Sequence, residues 1–293
     1  MTTIAEPQTT ATAAVTPRLL WLDLTRKCQL NCGHCYNGSG PEGTHGDMTA
    51  ADWFGVLDQA ASVGIHSVQF IGGEPTMHPD APELVDYALN IGLKVEVFSN
   101  LVHVTPAWWD LFRRGGVTLA TSYYSNHASE HNAMTARRSH ARTRANIETA
   151  VQLGVRLRVG IIVSDYEQHL NETLEELAAM GVTRIGTDRV RPFGRAAHHQ
   201  ASDAGNLCGQ CGSGRAAIGP NGAVSPCVFS GWLGVGNVHD APLADILGGS
   251  AMAEANASIR SSRAPGLPGN HDGCEPDDEY SPGTPLSDCN PRN

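Results

Sequence analysis

From Leu19 onward two patterns alternate along the chain. Short apolar, β-branched runs of strand length recur at Leu19–Leu24, Ser67–Ile71, Lys94–Phe98, Val117–Tyr123, Arg156–Val163 and Thr183–Arg189. Between them lie amphipathic stretches of helical length: Thr49–Val63, Ala81–Ile91, Pro106–Arg114, Ser139–Leu153 and Glu167–Met180. Several of these end at a glycine, and Thr49-Ala-Ala-Asp52 offers a hydroxyl N-cap with an acid near the positive end of the helix dipole. Six β/α units in succession predict an α/β fold with parallel strands joined by right-handed crossovers. A doubly wound sheet and a partial barrel both satisfy the count. In either one, chemistry gathers at the C-terminal strand ends.

After residue 195 the pattern breaks into Gly, Pro and Asn punctuation. Ala216–Ile218 and Ala223–Val228, separated by Gly219-Pro-Asn-Gly222, read as a hairpin, and a last helix is expected over Leu243–Ile259. Residues 261–293 carry Pro and Gly throughout and need a staple to hold a fold. The chain is therefore divided into a disordered tail over 1–17, an α/β core over 18–200 and a small irregular domain over 201–293.

Composition narrows the function classes. With 41% hydrophobic and 17% charged residues a sizeable core is expected. A net charge of −10, from 20 Lys+Arg against 30 Asp+Glu, disfavours a nucleic-acid partner. No apolar run approaches the roughly 20 residues that span a bilayer, and the start, Met1-Thr-Thr-Ile-Ala-Glu-Pro7, lacks the charge and apolar run of a signal peptide. The expected setting is the cytoplasm, where structural disulfides are rare and clustered cysteines point to metal or redox chemistry. The eight cysteines fall into two groups, Cys28, Cys32 and Cys35, then Cys208, Cys211, Cys227, Cys274 and Cys289.

Cys28-Gln-Leu-Asn-Cys32-Gly-His-Cys35 follows the first strand directly. Three thiolates at this spacing can wrap one corner of a [4Fe–4S] cluster and leave one iron open to a ligand. The alternative is a zinc site completed by His34. Further along, Gly72-Gly73-Glu74-Pro75 closes the second strand. Its glycines let the backbone approach a ligand, and its carboxylate suits an ammonium group. With these motifs in this order, residues 19–196 resemble the radical S-adenosylmethionine (SAM) superfamily and its partial (β/α)6, TIM-like barrel. The resemblance implies that Gly72, Gly73, Glu74 and Pro75 hold the amino group of SAM. It implies that Ser99, Asn100 and Ser122 contact its ribose and carboxylate, that Arg137 or Arg138 binds the carboxylate, and that the segment ending at Arg195 borders the adenine. It also implies that SAM, chelated to the open iron, is cleaved by one electron to a radical that abstracts hydrogen from a substrate.

Cys208-Gly-Gln-Cys211, then Gly222-Ala-Val-Ser-Pro-Cys227, resembles the opening of a SPASM/twitch iron–sulfur extension. A full SPASM domain continues with a dense run of cysteines, whereas this chain has only Cys274 and Cys289, so one auxiliary [4Fe–4S] cluster is expected. Zinc on Cys208, Cys211, Cys227 and one C-terminal cysteine is the alternative. Four ligands leave one thiol over, and Cys208 or Cys211 is the candidate hydrogen-atom donor. The resemblance favours an enzyme that cross-links or epimerises a ribosomally made peptide, with a carbohydrate or aminoglycoside epimerase as the alternative and a non-catalytic electron carrier as a remote third. A ferredoxin or flavodoxin is the implied electron donor. His127, His131, His140, His198 and His199 read as surface or structural residues. Anaerobically reconstituted protein should be brown and carry about eight irons per chain. Four irons with one zinc would assign zinc to the second site, and protein without iron would remove both clusters.

Overall fold

The computed structural model describes residues 18–163, 169–209, 211–212 and 214–262. The expectations for the 1–17 tail, for the first turn of the helix at 167 and for Cys274 and Cys289 lie outside these residues. Strands β1 (Leu19–Asp23), β2 (Ser67–Ile71), β3 (Lys94–Phe98), β4 (Val117–Tyr123), β5 (Leu157–Val163) and β6 (Ile185–Arg189) lie side by side in chain order, every neighbouring pair parallel. They are separated by α1 (Ala50–Ser62), α2 (Ala81–Asn90), α3 (Pro106–Phe112), α4 (Ala128–Thr135), α5 (His140–Gln152) and α6 (Leu170–Ala179). An order without reversal puts the right-handed crossovers on one face, so the sheet is the partial barrel rather than the doubly wound alternative.

From β1 to β5 the sheet is buried on both sides, whereas β6 alternates buried and exposed positions. Leu20, Leu22, Val68, Phe70, Val95 and Val97 pack outward with Trp53, Leu57 and Leu84 of the helices. Leu19, Trp21, Ile71, Phe98 and Ala120 form a second cluster inside the barrel. Strands covered on both faces read as continuous apolar runs, which is why the sequence marks them so plainly. Helix α4 has no counterpart among the expected elements. It carries no apolar stripe, burying only His131 and Thr135, so periodicity gave no signal.

The C-terminal region departs from the sequence reading in two ways. The hairpin forms, as β7 (Arg215–Ile218) and β8 (Ala223–Ser225), but β7 also pairs parallel with β1. With β9 (Gly236–Asn237) it extends the barrel into one nine-stranded sheet, so the second region starts as a continuation of the first. The single helix expected over Leu243–Ile259 is two, α7 (Leu243–Gly248) and α8 (Ser250–Ser261). They break at Gly249, whose backbone is extended and where a Cβ would stand 2.8 Å from the Asp245 carbonyl oxygen. Among the described residues no helix is long and apolar enough to cross a membrane.

The barrel floor carries a buried ion pair. Arg158 of β5, 1% exposed, donates through Nε and Nη2 to both Glu96 oxygens of β3, at 2.7 and 2.6 Å, and Gln69 of β2 donates to the same carboxylate. Burial pushes the Glu96 carboxyl up. Arg158 and these hydrogen bonds outweigh it and hold the group below its usual range. Glu96→Ala leaves a guanidinium without a counter-charge in the barrel. It should cost about 3–5 kcal/mol in denaturant unfolding, whereas a loss under about 1 kcal/mol would show the pair to be dispensable.

Candidate active site

The segment between β1 and α1 carries Cys28, Cys32 and Cys35, and three separate parts of the fold hold its backbone. Arg195 donates through Nε to the Cys32 carbonyl oxygen and through Nη2 to the Ser39 carbonyl oxygen, both at 2.7 Å, and its amide donates to the Cys35 carbonyl at 2.9 Å. Beside it Gly194, at φ +56°, lies so close that a Cβ would stand 2.3 Å from the Cys35 and Tyr36 carbonyl oxygens. The last carbonyls of α4 accept from the loop, Thr135 from the Asn31 amide at 3.2 Å and Met134 from the Gly33 amide at 3.3 Å. Carbonyls at a helix end have no partner within the helix and are available for this.

The third support is the Gly72–Glu74 turn. The Gly73 amide donates to the Thr25 carbonyl at 2.6 Å and the Glu74 amide to the Lys27 carbonyl at 2.9 Å. A Cβ on Gly73 would stand 2.4 Å from the Lys27 oxygen. The glycine is thus required by the cysteine loop's own backbone, in addition to lining the pocket. The carboxylate of Glu74 has partners of its own within the protein. It is fully buried, with Oε1 accepting from the Thr76 amide and hydroxyl at 3.1 and 2.8 Å and Oε2 from the Asn100 amide at 2.8 Å. Burial pushes this carboxyl up, with the hydrogen bonds acting against it. The side chain ties the ends of β2 and β3 together rather than facing the pocket.

The three thiols, each 6–7% exposed, line one pocket with Ser39, Gly73, Asn100, Ser122 and Arg195. Tyr124, an aromatic candidate for the pocket wall, also faces it, as does Phe98, which the sequence did not single out. Of the other expected residues, Pro75 is buried at the start of a 3₁₀ turn, and Ser99 accepts from the Leu101 amide through its hydroxyl. Arg137 and Arg138 are exposed at the end of α4, and Arg137 donates to the Ala136 carbonyl. Neither arginine lines the pocket. His34, the fourth ligand of the zinc alternative, sits 3.2 Å from the Tyr124 hydroxyl instead of joining the thiols.

Burial pushes the Cys32 thiol up to about 12, reinforced by Cys35 and opposed by Arg195. Cys28 is raised too, by burial first and then by Glu74. Thiols buried this deeply become thiolates only against a cation, so a soft metal centre fits this donor set. Asn100 Nδ2 donates to Cys28 Sγ at 3.6 Å, an outer contact of the kind that orients a ligand.

A second cavity is lined by Cys208, Cys211 and Cys227 with Trp21, Arg191, Arg215 and Phe229. Cys211 and Cys227 are buried with their sulfurs 3.1 Å apart, and Cys208 is half-buried. Hydrogen bonding to Cys208 and Cys227, with burial, holds the Cys211 thiol well above its ordinary range. The two sites meet through aromatic contacts: Tyr36 stands edge-on to Phe229 at 5.0 Å, and Phe193 lies 5.7 Å from Phe229.

Arg195→Ala leaves the Cys32 and Ser39 carbonyls without their donor, and Arg195→Lys cannot restore the two-pronged contact. Both variants should fold yet lose about half of the reconstituted iron, the part bound at the first site. Unchanged iron content would show that the loop holds its shape without the guanidinium.

Comparison with known proteins follows the same division of the chain. The profile of the Radical SAM superfamily matches residues 22–179, and that of an iron-sulfur cluster-binding domain, SPASM, matches residues 208–275. A PqqA peptide cyclase of Streptomyces rochei is 26% identical over 188 residues, covering 64% of this chain and 52% of that one. An AdoMet-dependent heme synthase of Methanosarcina barkeri is 29% identical over 182 residues, covering 61% and 52%. SuiB of Streptococcus suis, crystallised with the precursor peptide SuiA, shares the fold at a TM-score of 0.67 and 18% identity, over 84% of this chain and 67% of that one. The chain spans about half, or less, of the length of the curated relatives it matches. The first match takes in just over half of the chain, from the strand before the cysteine loop to the sixth helix, and so the protein belongs to the radical SAM superfamily.

Proposed function

We propose that this protein is a radical enzyme that modifies a peptide. Cys28, Cys32 and Cys35 are assigned to the SAM-binding [4Fe–4S] cluster, and Cys211 and Cys227, with cysteines beyond the described residues, to one auxiliary [4Fe–4S] cluster. Bound there, the clusters and SAM supply one-electron cleavage and hydrogen-atom abstraction. The chain's own part is placement. Arg195, Gly194 and the end of α4 fix the loop, while Asn100, whose amide is held by Glu74, steadies Cys28. Phe98 and Tyr124 wall the pocket against water. Gly73, Asn100 and Ser122 are its surfaces for SAM.

The observation that carries the reading is the meeting of two buried thiol sites inside one barrel, joined through Tyr36 and Phe229. The likeness to PqqA peptide cyclases supports a peptide as substrate. The likeness to an AdoMet-dependent heme synthase favours, as a second reading, a small molecule. Thiol sites of this kind suit a reducing cytoplasm, with a ferredoxin or flavodoxin as electron donor.

Cys208, the most exposed of the three C-terminal thiols described, is the residue we assign to return a hydrogen atom in an epimerisation. Its thiyl would then be reduced by the same electron donor. The test incubates reconstituted protein with SAM, reductant and peptides encoded beside its gene, in deuterated water. Loss of two hydrogens from the peptide indicates a cross-link. Uptake of one deuterium, abolished in Cys208→Ala at unchanged iron content, indicates epimerisation. SAM cleavage coupled only to small molecules would overturn the peptide reading.

A further inference from the structure

At the rim of the barrel the segments after β4 and β5 carry the same short pattern. His127-Ala-Ser-Glu130 opens α4, and His169-Leu-Asn-Glu172 opens α6. The two are paired crosswise. His127 Nε2 lies 3.2 Å from Glu172 Oε2, and His169 Nδ1 lies 2.7 Å from Glu130 Oε1. The imidazoles stack with centroids 3.8 Å apart and planes 23° apart. His127, His169 and Glu172 each place a ligand atom within 4.8 Å of the other two.

We propose that these residues form a binding site for a divalent first-row metal such as zinc, separate from the thiol sites. Bonds of about 2.0–2.1 Å in a tetrahedral zinc site put neighbouring ligand atoms about 3.3 Å apart, close to the His127–Glu172 separation. Two imidazoles with one carboxylate make a nitrogen–oxygen set suited to zinc, nickel or cobalt, without the sulfur that iron–sulfur clusters take. Glu130 is a positioning residue. It holds the Nδ1 side of His169 and is itself held by the Ser125 hydroxyl at 2.6 Å, and binding through Nε2 requires the stacked His169 ring to turn about this contact toward the ion. A ligating histidine whose other nitrogen is bound to a carboxylate is the usual outer arrangement. The side chains are 30–57% exposed, which gives an ion a way in.

The position of the site gives the metal a role. Helix α4 begins at His127 and ends at the Met134 and Thr135 carbonyls that accept from the cysteine loop. A metal that clamps the start of α4 to the start of α6 stiffens the helix on which that loop leans.

The test uses iron-loaded protein equilibrated anaerobically with zinc chloride and passed through a desalting column. The wild type should keep one zinc per chain more than the His127→Ala/His169→Ala variant at equal iron content, and Glu130→Gln should bind zinc about 10–100-fold more weakly. X-ray absorption at the zinc edge of the wild type, which does not depend on any variant folding, should show a nitrogen/oxygen shell without sulfur. Equal zinc in wild type and double variant, no retained zinc, or a sulfur shell that places zinc on the cysteines would each overturn the site.

Discussion

The chemistry of this protein depends on one backbone being held still, the segment from Cys28 to Ser39, and Arg195 does most to hold it. A loop that packs three thiols into one pocket turns its carbonyls inward as well, and buried carbonyls need donors. The planar guanidinium serves two of them at once, and the Arg195 amide serves a third. The same group places a positive charge beside Cys32, opposing the rise that burial imposes on that thiol. Shape and electrostatics at the first site thus share a residue more than 150 positions away in the chain.

Other motif residues act on the same loop. The glycines and carboxylate of Gly72–Glu74 are spent on the protein itself: one glycine on contact with Lys27, the carboxylate on Thr76 and Asn100. Through Asn100 the carboxylate sets the position of Cys28, and Gly73 itself forms part of the pocket wall. Because burial disfavours the thiolates of Cys28 and Cys32, loading a metal on them releases protons, and affinity there rises with pH.

The two thiol sites are coupled by the sheet. Pairing of β7 with β1 puts the hairpin that bears Cys227 against the strand that leads into Cys28. The Tyr36–Phe229 contact closes the gap across the barrel interior. A shift of the hairpin register would move every inward side chain to the other face, so the distance between the sites is built into the strand pairing.

Much of this was legible in the chain alone. Strands β1 to β5, buried on both faces, stand out as apolar runs, and most of the helices between the strands carry amphipathic stripes. The cysteine triplet and the Gly72–Pro75 turn name the family because they are contiguous, and local spacing is what a sequence preserves. What tertiary structure decided is what depends on distant partners. Helix α4 has no stripe to reveal it, and its purpose is to hold its carbonyl end against residues 31 and 33. Whether Glu74 faces a ligand or the protein depends on where Asn100 comes to lie, and Arg195 is one arginine among many until the barrel brings it under the loop. His127 reads singly as a surface or structural residue and His169 carries no signal of its own, and they form a cluster because β4 and β5 are neighbours. A sequence fixes which groups are present and their local pattern, and the pairing of strands fixes which of those groups meet.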